Sequence, residues 1–104
     1  MTNFKDREKG YESKFAHDAE LRFKAEARRN RLLGLWAAEK LGKTGDEADA
    51  YAKEVVRSDF EEAGDEDVYR KVAGDLGDKS TEDEIRTKMR ELRVEADRQI
   101  EAET

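Results

Sequence analysis

The sequence predicts an all-α protein: a four-helix bundle-like domain carrying a flexible N-terminal arm. Three observations lead there. The 104 residues contain no proline. Ala, Glu, Lys, Arg and Leu, the residues that lose least on entering a helix, are abundant. Apolar residues recur at three- and four-residue spacing in four stretches, each bounded by Gly or by a Ser/Thr/Asp cap. With 36% hydrophobic and 46% charged residues the core is modest, but a chain of this size still folds without staples.

The first helix spans about 19–41. Leu21, Ala25, Leu32, Leu35, Trp36 and Glu39 follow the helical period, and Leu33 widens the stripe. Arg22, Lys24, Arg28, Arg29 and Arg31 crowd its first half, so the second half is expected to pack while the first lies at the surface. Gly42 and Gly45 mark the stop, with Lys40 and Lys43 suited to the negative helix end. Thr44 and Glu47 have capping-box spacing and open a second helix over 45–63, with Ala48, Tyr51, Ala52, Val55, Val56, Phe60 and Ala63 on one face. Asp65 is placed to cap a third helix over 66–76, buried through Val68, Tyr69, Val72, Ala73 and Leu76 and kept short by Gly74 and Gly77. Thr81 and Glu84 repeat the capping-box spacing before a last helix over 81–102. Its seam is Ile85, Met89, Leu92, Ala96 and Ile100, with Val94 off the seam. Short connections imply antiparallel neighbours.

Residues 1–18 read differently from residues 19–104, the four-helix domain. Phe4, Tyr11 and Phe15 stand among alternating charges, and a helix would bring them within about 40° of one another. Gly10 interrupts the stretch, and little else there is apolar. Such a peptide is helical only when a partner supplies the other face.

Charge is unevenly spread over a net of −6: residues 1–18 are neutral, 19–43 carry +4, 44–79 carry −7 and 80–104 carry −3. A basic helix beside an acidic one explains this within a single bundle; two exposed patches that steer docking are the sharper alternative. The acidic balance speaks against nucleic acid as the main partner. No run is apolar and long enough to span a membrane, and no secretory signal is present, so a cytoplasmic protein without membrane insertion is expected. The lack of cysteine removes disulfides and thiolate metal sites.

Catalytic chemistry finds no constellation. His17 is the only histidine, the seven glycines form no phosphate loop, and the acidic groups Glu61–Glu62 and Asp65–Glu66–Asp67 do not match a calcium loop. We therefore expect no enzyme, no metal and no cofactor, with weak adenine-nucleotide binding the one small-molecule interaction left open. Arg28, Arg29 and Arg31 are its candidate anion contacts, although without interleaved aromatics a solvated, neutralising face is the stronger account. Trp36 is read as core rather than as a stacking platform.

Several blocks together carry a family likeness. They are Phe4 with Asp6-Arg7-Glu8, Lys14-Phe15-Ala16, Phe23-Lys24, Ala27-Arg28-Arg29-Asn30, and Leu32-Leu33-Gly34-Leu35-Trp36-Ala37-Ala38. Farther on stand Tyr51-Ala52-Lys53-Glu54-Val55-Val56 and Asp59-Phe60-Glu61-Glu62-Ala63-Gly64. The chain resembles the alphaproteobacterial zeta-subunit family, which inhibits the F1 part of ATP synthase. The likeness is weakest after about Gly74.

The resemblance implies a small four-helix protein whose N-terminal segment enters the catalytic interface of F1, formed by alpha, beta and gamma subunits, and blocks rotation in the hydrolysing direction. It implies Phe4, Tyr11 and Phe15 as apolar anchors. Lys5, Arg7, Lys14, Asp6 and Glu8 would be charged contacts. The protein would be cytoplasmic, peripheral to the inner membrane when bound, and monomeric when free. The mitochondrial ATPase inhibitor does a similar job with a coiled coil and a histidine-linked switch; a single histidine puts such a switch in doubt here. The alternative function is a small nucleotide- or nucleic-acid-binding or adaptor protein.

Overall fold

The computed structural model describes residues 19–59 and 65–103. Four helices follow one another: α1 (Ala19–Lys40), α2 (Gly45–Ser58), α3 (Glu66–Leu76) and α4 (Glu82–Glu103), with a short 3₁₀ turn (Gly77–Lys79) between the last two. No strand occurs among the described residues, so the all-α, four-helix expectation holds. The arm, residues 1–18, lies outside the described residues.

Helix ends depart from expectation in instructive ways. α1 closes on Gly42, at φ +79°, with Lys43 N–H donating to Ala38 O (2.9 Å) and Gly42 N–H to Glu39 O (3.0 Å). This paired closure needs a left-handed residue, which glycine adopts without a Cβ clash. The expected Thr44–Glu47 capping box does not form: the Thr44 hydroxyl makes no cap bond. The chain enters α2 through Gly45 at φ +56°, and the first turn closes on the Thr44 carbonyl, which accepts from Glu47 N–H at 3.1 Å. Nor does the Asp65 side chain cap α3; only its carbonyl does, accepting from Tyr69 N–H at 3.0 Å. At α4 the expectation holds, with Glu84 N–H donating to Thr81 Oγ1 at 3.1 Å. α2 is shorter than the expected 45–63: it ends at Ser58, and Asp59 is in a turn. In its last turn the Ser58 hydroxyl donates to Val55 O (2.7 Å) and Asp59 N–H turns back to Val56 O (3.2 Å), which tightens the helix end. Phe60 and Ala63, expected on its apolar face, lie outside the described residues.

α1 is the central helix and touches the other three. Its buried seam is Leu21, Ala25, Arg29, Asn30, Leu33, Gly34, Ala37 and Ala38. That is rotated from the expected stripe: Leu32, Leu35 and Trp36 are half-buried at its margins and Glu39 is exposed. The physical reason is close packing. A Cβ on Gly34 would lie 2.6 Å from the Ala52 Cα, so α1 and α2 touch backbone to backbone there. Where α2 approaches, the small residues Gly34, Ala37 and Ala38 line the seam, and Leu32, Leu35 and Trp36 stand at its margins.

The main core joins Leu33, Ala37 and Ala38 to Tyr51, Val55, Val68, Val72, Leu76, Ile85 and Met89, with Trp36 packed at its edge. There Trp36 lies between two ammonium groups, Lys40 at 5.3 Å and Lys88 at 5.9 Å from its ring centre. A second cluster, Leu21, Ala25 and Ile100, pins the start of α1 to the end of α4. As expected, Val94 stays exposed.

Candidate partner-binding surface

The predicted arm contacts, Phe4, Lys5, Asp6, Arg7, Glu8, Tyr11, Lys14 and Phe15, all fall outside the described residues. What the fold presents is the helix that continues from them. α1 begins at Ala19 with a half that carries most of its cations and has only a small core beneath it.

The three candidate anion-binding arginines are directed onto three different elements. Arg28 reaches α4, donating to Gln99 Oε1 (2.7 Å) and Glu103 Oε1 (3.0 Å). The Glu103 hydrogen bond holds its guanidinium above the ordinary range. Arg29 is 2% exposed; its Nε donates to Asn30 Oδ1 (2.7 Å) and its Nη2 to Asp65 Oδ1 (2.9 Å), at the start of α3. Arg31 faces α2, 3.7 Å from Asp49.

Arg29 and Asn30 were invisible as interior residues because both are polar, yet they occupy the middle of the buried seam. Braced by Asn30, Arg29 acts as a strut from α1 to Asp65 at the start of α3. Among the described residues the Asn30 Nδ2 meets no acceptor at hydrogen-bond geometry. Asp59 stands beside this strut. Partial burial pushes its carboxyl above the ordinary carboxylate range, helped by Glu26 and Asp65 and opposed by Asn30 and Arg29. The spacing Arg29-to-Leu33, and Leu21-to-Ala25 before it, is the one sequence signal that places Arg29 inside.

Two concave surfaces matter. One, of about 320 Å³, is lined by Arg29, Arg86, Arg90 and Arg93 with Asp65 and Met89. Three of those arginines are engaged by carboxylates: Arg29 by Asp65, Arg86 by Glu66 and Glu82, Arg93 by Asp97. Arg90 donates to the Thr87 hydroxyl at 3.1 Å. The other is a shallow groove beside Phe23, between the starts and ends of α1, α2 and α4. Among the described residues no group of three His, Asp or Glu side chains is placed to hold a metal ion, and no helix is long and apolar enough to cross a membrane.

The described residues define a small four-helix module with exposed faces. Its family is specific: residues 1–99 match the family described as ATPase inhibitor subunit zeta, and the chain belongs to it. A solved chain titled only as the solution NMR structure of a protein is similar in fold and sequence. It has 61% identity and a TM-score of 0.75 over 81% of this chain and 99% of that one. No curated protein matches. Membership defines a regulatory role directed at an ATPase, in association with the F1 part of ATP synthase.

Proposed function

We propose that this chain inhibits ATP hydrolysis by F1 through residues 1–18, which insert at the catalytic interface of the alpha, beta and gamma subunits and fold to a helix there. The chain does no chemistry itself. The observation that carries the reading is the reach of the family match: it spans residues 1–99 and so takes in the whole aromatic arm together with the bundle. If the arm continued the α1 helix it would add about 27 Å, long enough to wedge between subunits. Phe4, Tyr11 and Phe15 are the anchors, because aromatics bury much area with few rotatable bonds. Lys5, Arg7 and Lys14 pair with carboxylates, and Asp6 and Glu8 with cations, setting orientation and on-rate more than affinity. Ordering the arm on contact costs about 2–5 kcal/mol of the gross interaction, which keeps inhibition reversible. The bundle holds the arm at high effective concentration. In this reading the protein is cytoplasmic, peripheral to the inner membrane when bound to ATP synthase, and monomeric when free.

The test is ATP hydrolysis by F1 with the intact chain, with residues 1–18 removed, and with Phe4, Tyr11 and Phe15 all changed to Ala. Inhibition is expected only from the intact chain. Equal inhibition by the shortened chain would sink the arm mechanism.

A second reading is weak binding of an adenine nucleotide. The observation favouring it is a cleft lined by Arg29, Arg86, Arg90 and Arg93, where a phosphate would have to displace the carboxylates that hold three of the four. Arg28 and Arg31 do not line that cleft. NMR titration with adenine nucleotides, and with inorganic phosphate as control, should shift the amides around Arg90 and Arg93; no shift would remove the reading.

A further inference from the structure

Residues 1–18 join the bundle through the first half of α1, so whatever fixes that half fixes the base of the arm. Three ties run from it to the last turns of α4. Leu21 and Ala25 close on Ile100 in a small buried cluster. Glu26 faces Arg93 at 3.8 Å. Arg28 donates to Gln99 Oε1 at 2.7 Å and meets Glu103 with both guanidinium nitrogens, Nη2 to Oε1 at 3.0 Å and Nη1 to Oε2 at 2.8 Å.

The Arg28 tie is better built than an ordinary surface ion pair. A two-pronged carboxylate contact fixes direction as well as distance. The Arg28 hydrogen bond holds the Glu103 carboxyl below the ordinary carboxylate range, and Lys24 adds to the effect. Gln99 is itself held, its amide donating to Glu95 Oε2 at 2.9 Å. The family match ends at residue 99 and does not reach Ile100 or Glu103, so the tie is built partly from residues outside the matched module.

The small cluster beneath residues 19–28 contrasts with the main core under Leu33. Loosening the tie would let those residues fray and lengthen the tether of the arm by about ten residues. Effective concentration falls roughly as the −3/2 power of tether length, and each freed residue must be ordered again on docking. We infer that the last turns of α4, through Gln99, Ile100 and Glu103, position the inhibitory arm: they keep residues 19–28 helical, so that the arm starts from a fixed base and binds at lower concentration. This rests on the reading that residues 1–18 insert into F1. The three are positioning residues and make no contact with F1 themselves.

The experiment measures F1 hydrolysis with the full chain carrying Arg28→Glu, Glu103→Arg, or both. Each single change sets like charges face to face. It should need about fivefold more protein for half-inhibition, with parent-like maximal inhibition at saturation. The exchanged pair restores the attraction and should recover most of that potency. Gln99→Ala with Ile100→Ala weakens the same base without changing charge and should cost a similar factor. Amide exchange should accelerate in residues 19–28 of each weakened variant, slow again in the exchanged pair, and stay slow around Leu33 throughout. Unchanged exchange in residues 19–28, or parent-like potency despite faster exchange, overturns the inference. So does a loss that the exchanged pair does not recover, which would mean that Arg28 or Glu103 touches F1 directly. The Phe4, Tyr11 and Phe15 variant separates the two readings. Full inhibition by it sinks insertion, whereas its failure beside parent-like α4 variants sinks the positioning role alone.

Discussion

The two halves of α1 are one continuous helix held by different physics. From Leu33 to Ala38 it lies against α2 at backbone contact and shares the main core with α3 and α4. From Leu21 to Arg28 it has one small cluster, closed by Ile100 and clamped by polar contacts: Arg28 to Glu103 and Gln99, and Arg93 to Glu26 at 3.8 Å. Dispersion and apolar burial dominate the first; ion pairs at the solvent boundary supplement the second. The lesson is that rigidity is graded along the helix. The half adjoining the arm is the one that can open locally without unfolding the rest.

The strongest way to break the comparison is to damage the well-packed half. Leu33 has no exposed surface, so Leu33→Ala should lower stability by about 3 kcal/mol and speed amide exchange throughout the bundle. Gly34→Ala attacks the same half from the other side. A methyl 2.6 Å from the Ala52 Cα meets backbone, which cannot rotate away. Separating α1 from α2 should cost about 2–3 kcal/mol in a denaturant melt, and a neutral result would mean that the helices are not in contact at that point.

The matched change in the other half is Ile100→Ala. Its cluster is small and at the end of two helices, so collapse is easier and the loss should be about 2 kcal/mol or less. The sharper readout is spatial: exchange should accelerate in residues 19–28 and 96–103 and stay slow around Leu33 and Val55. Uniform acceleration would erase the distinction between the halves. At the helix end, Gly42→Ala places a Cβ at φ +79° and should cost about 1 kcal/mol without touching the core.

The smallest effects are in pH dependence. Asp75 accepts from Tyr51 Oη at 2.8 Å and lies 2.9 Å from Lys71. Partial burial opposes its charge, but the Lys71 and Tyr51 hydrogen bonds prevail and hold the carboxyl below the ordinary range. A lowered folded value means that Asp75 stabilises the fold above the unfolded carboxylate value, near pH 4, and that this stability is lost as pH falls through the lower folded value. Asp59, raised mainly by burial, has the opposite sign: its charge opposes folding at neutral pH and protonation relieves it. Asp75→Asn should therefore lower neutral stability by under about 1 kcal/mol and flatten the loss between about pH 5 and pH 3. Asp59→Asn should leave neutral stability unchanged or slightly higher and make the acid side steeper. Identical acid profiles for the two variants would discard the assignment.

Much of this was legible beforehand, for local reasons. Four helices follow from apolar spacing and from Gly42 and Gly77 as punctuation, and the Thr81 cap follows from a hydroxyl three residues before Glu84. Thr44 has the same spacing and does not cap, because Gly45 enters its helix at positive φ. The Asp65 carboxylate was read as a cap and is instead the partner of Arg29, 36 positions away. The same kind of long-range pairing governs the arginine cluster. Adjacent in sequence, Arg28 and Arg29 take partners on α4 and at the start of α3, so proximity along the chain did not make one site.

By itself, then, the sequence determined helix number, most helix ends, the exposed Val94 and the aromatic, net-neutral composition of the N-terminal stretch. These depend on propensity, period and composition, which act over a few residues. Tertiary structure decided which face of α1 is inside and that Arg29 and Asn30 belong to that face. Those depend on how closely a neighbouring helix approaches and which distant carboxylate is within reach, of which the four-residue spacing through Arg29 is the one local trace.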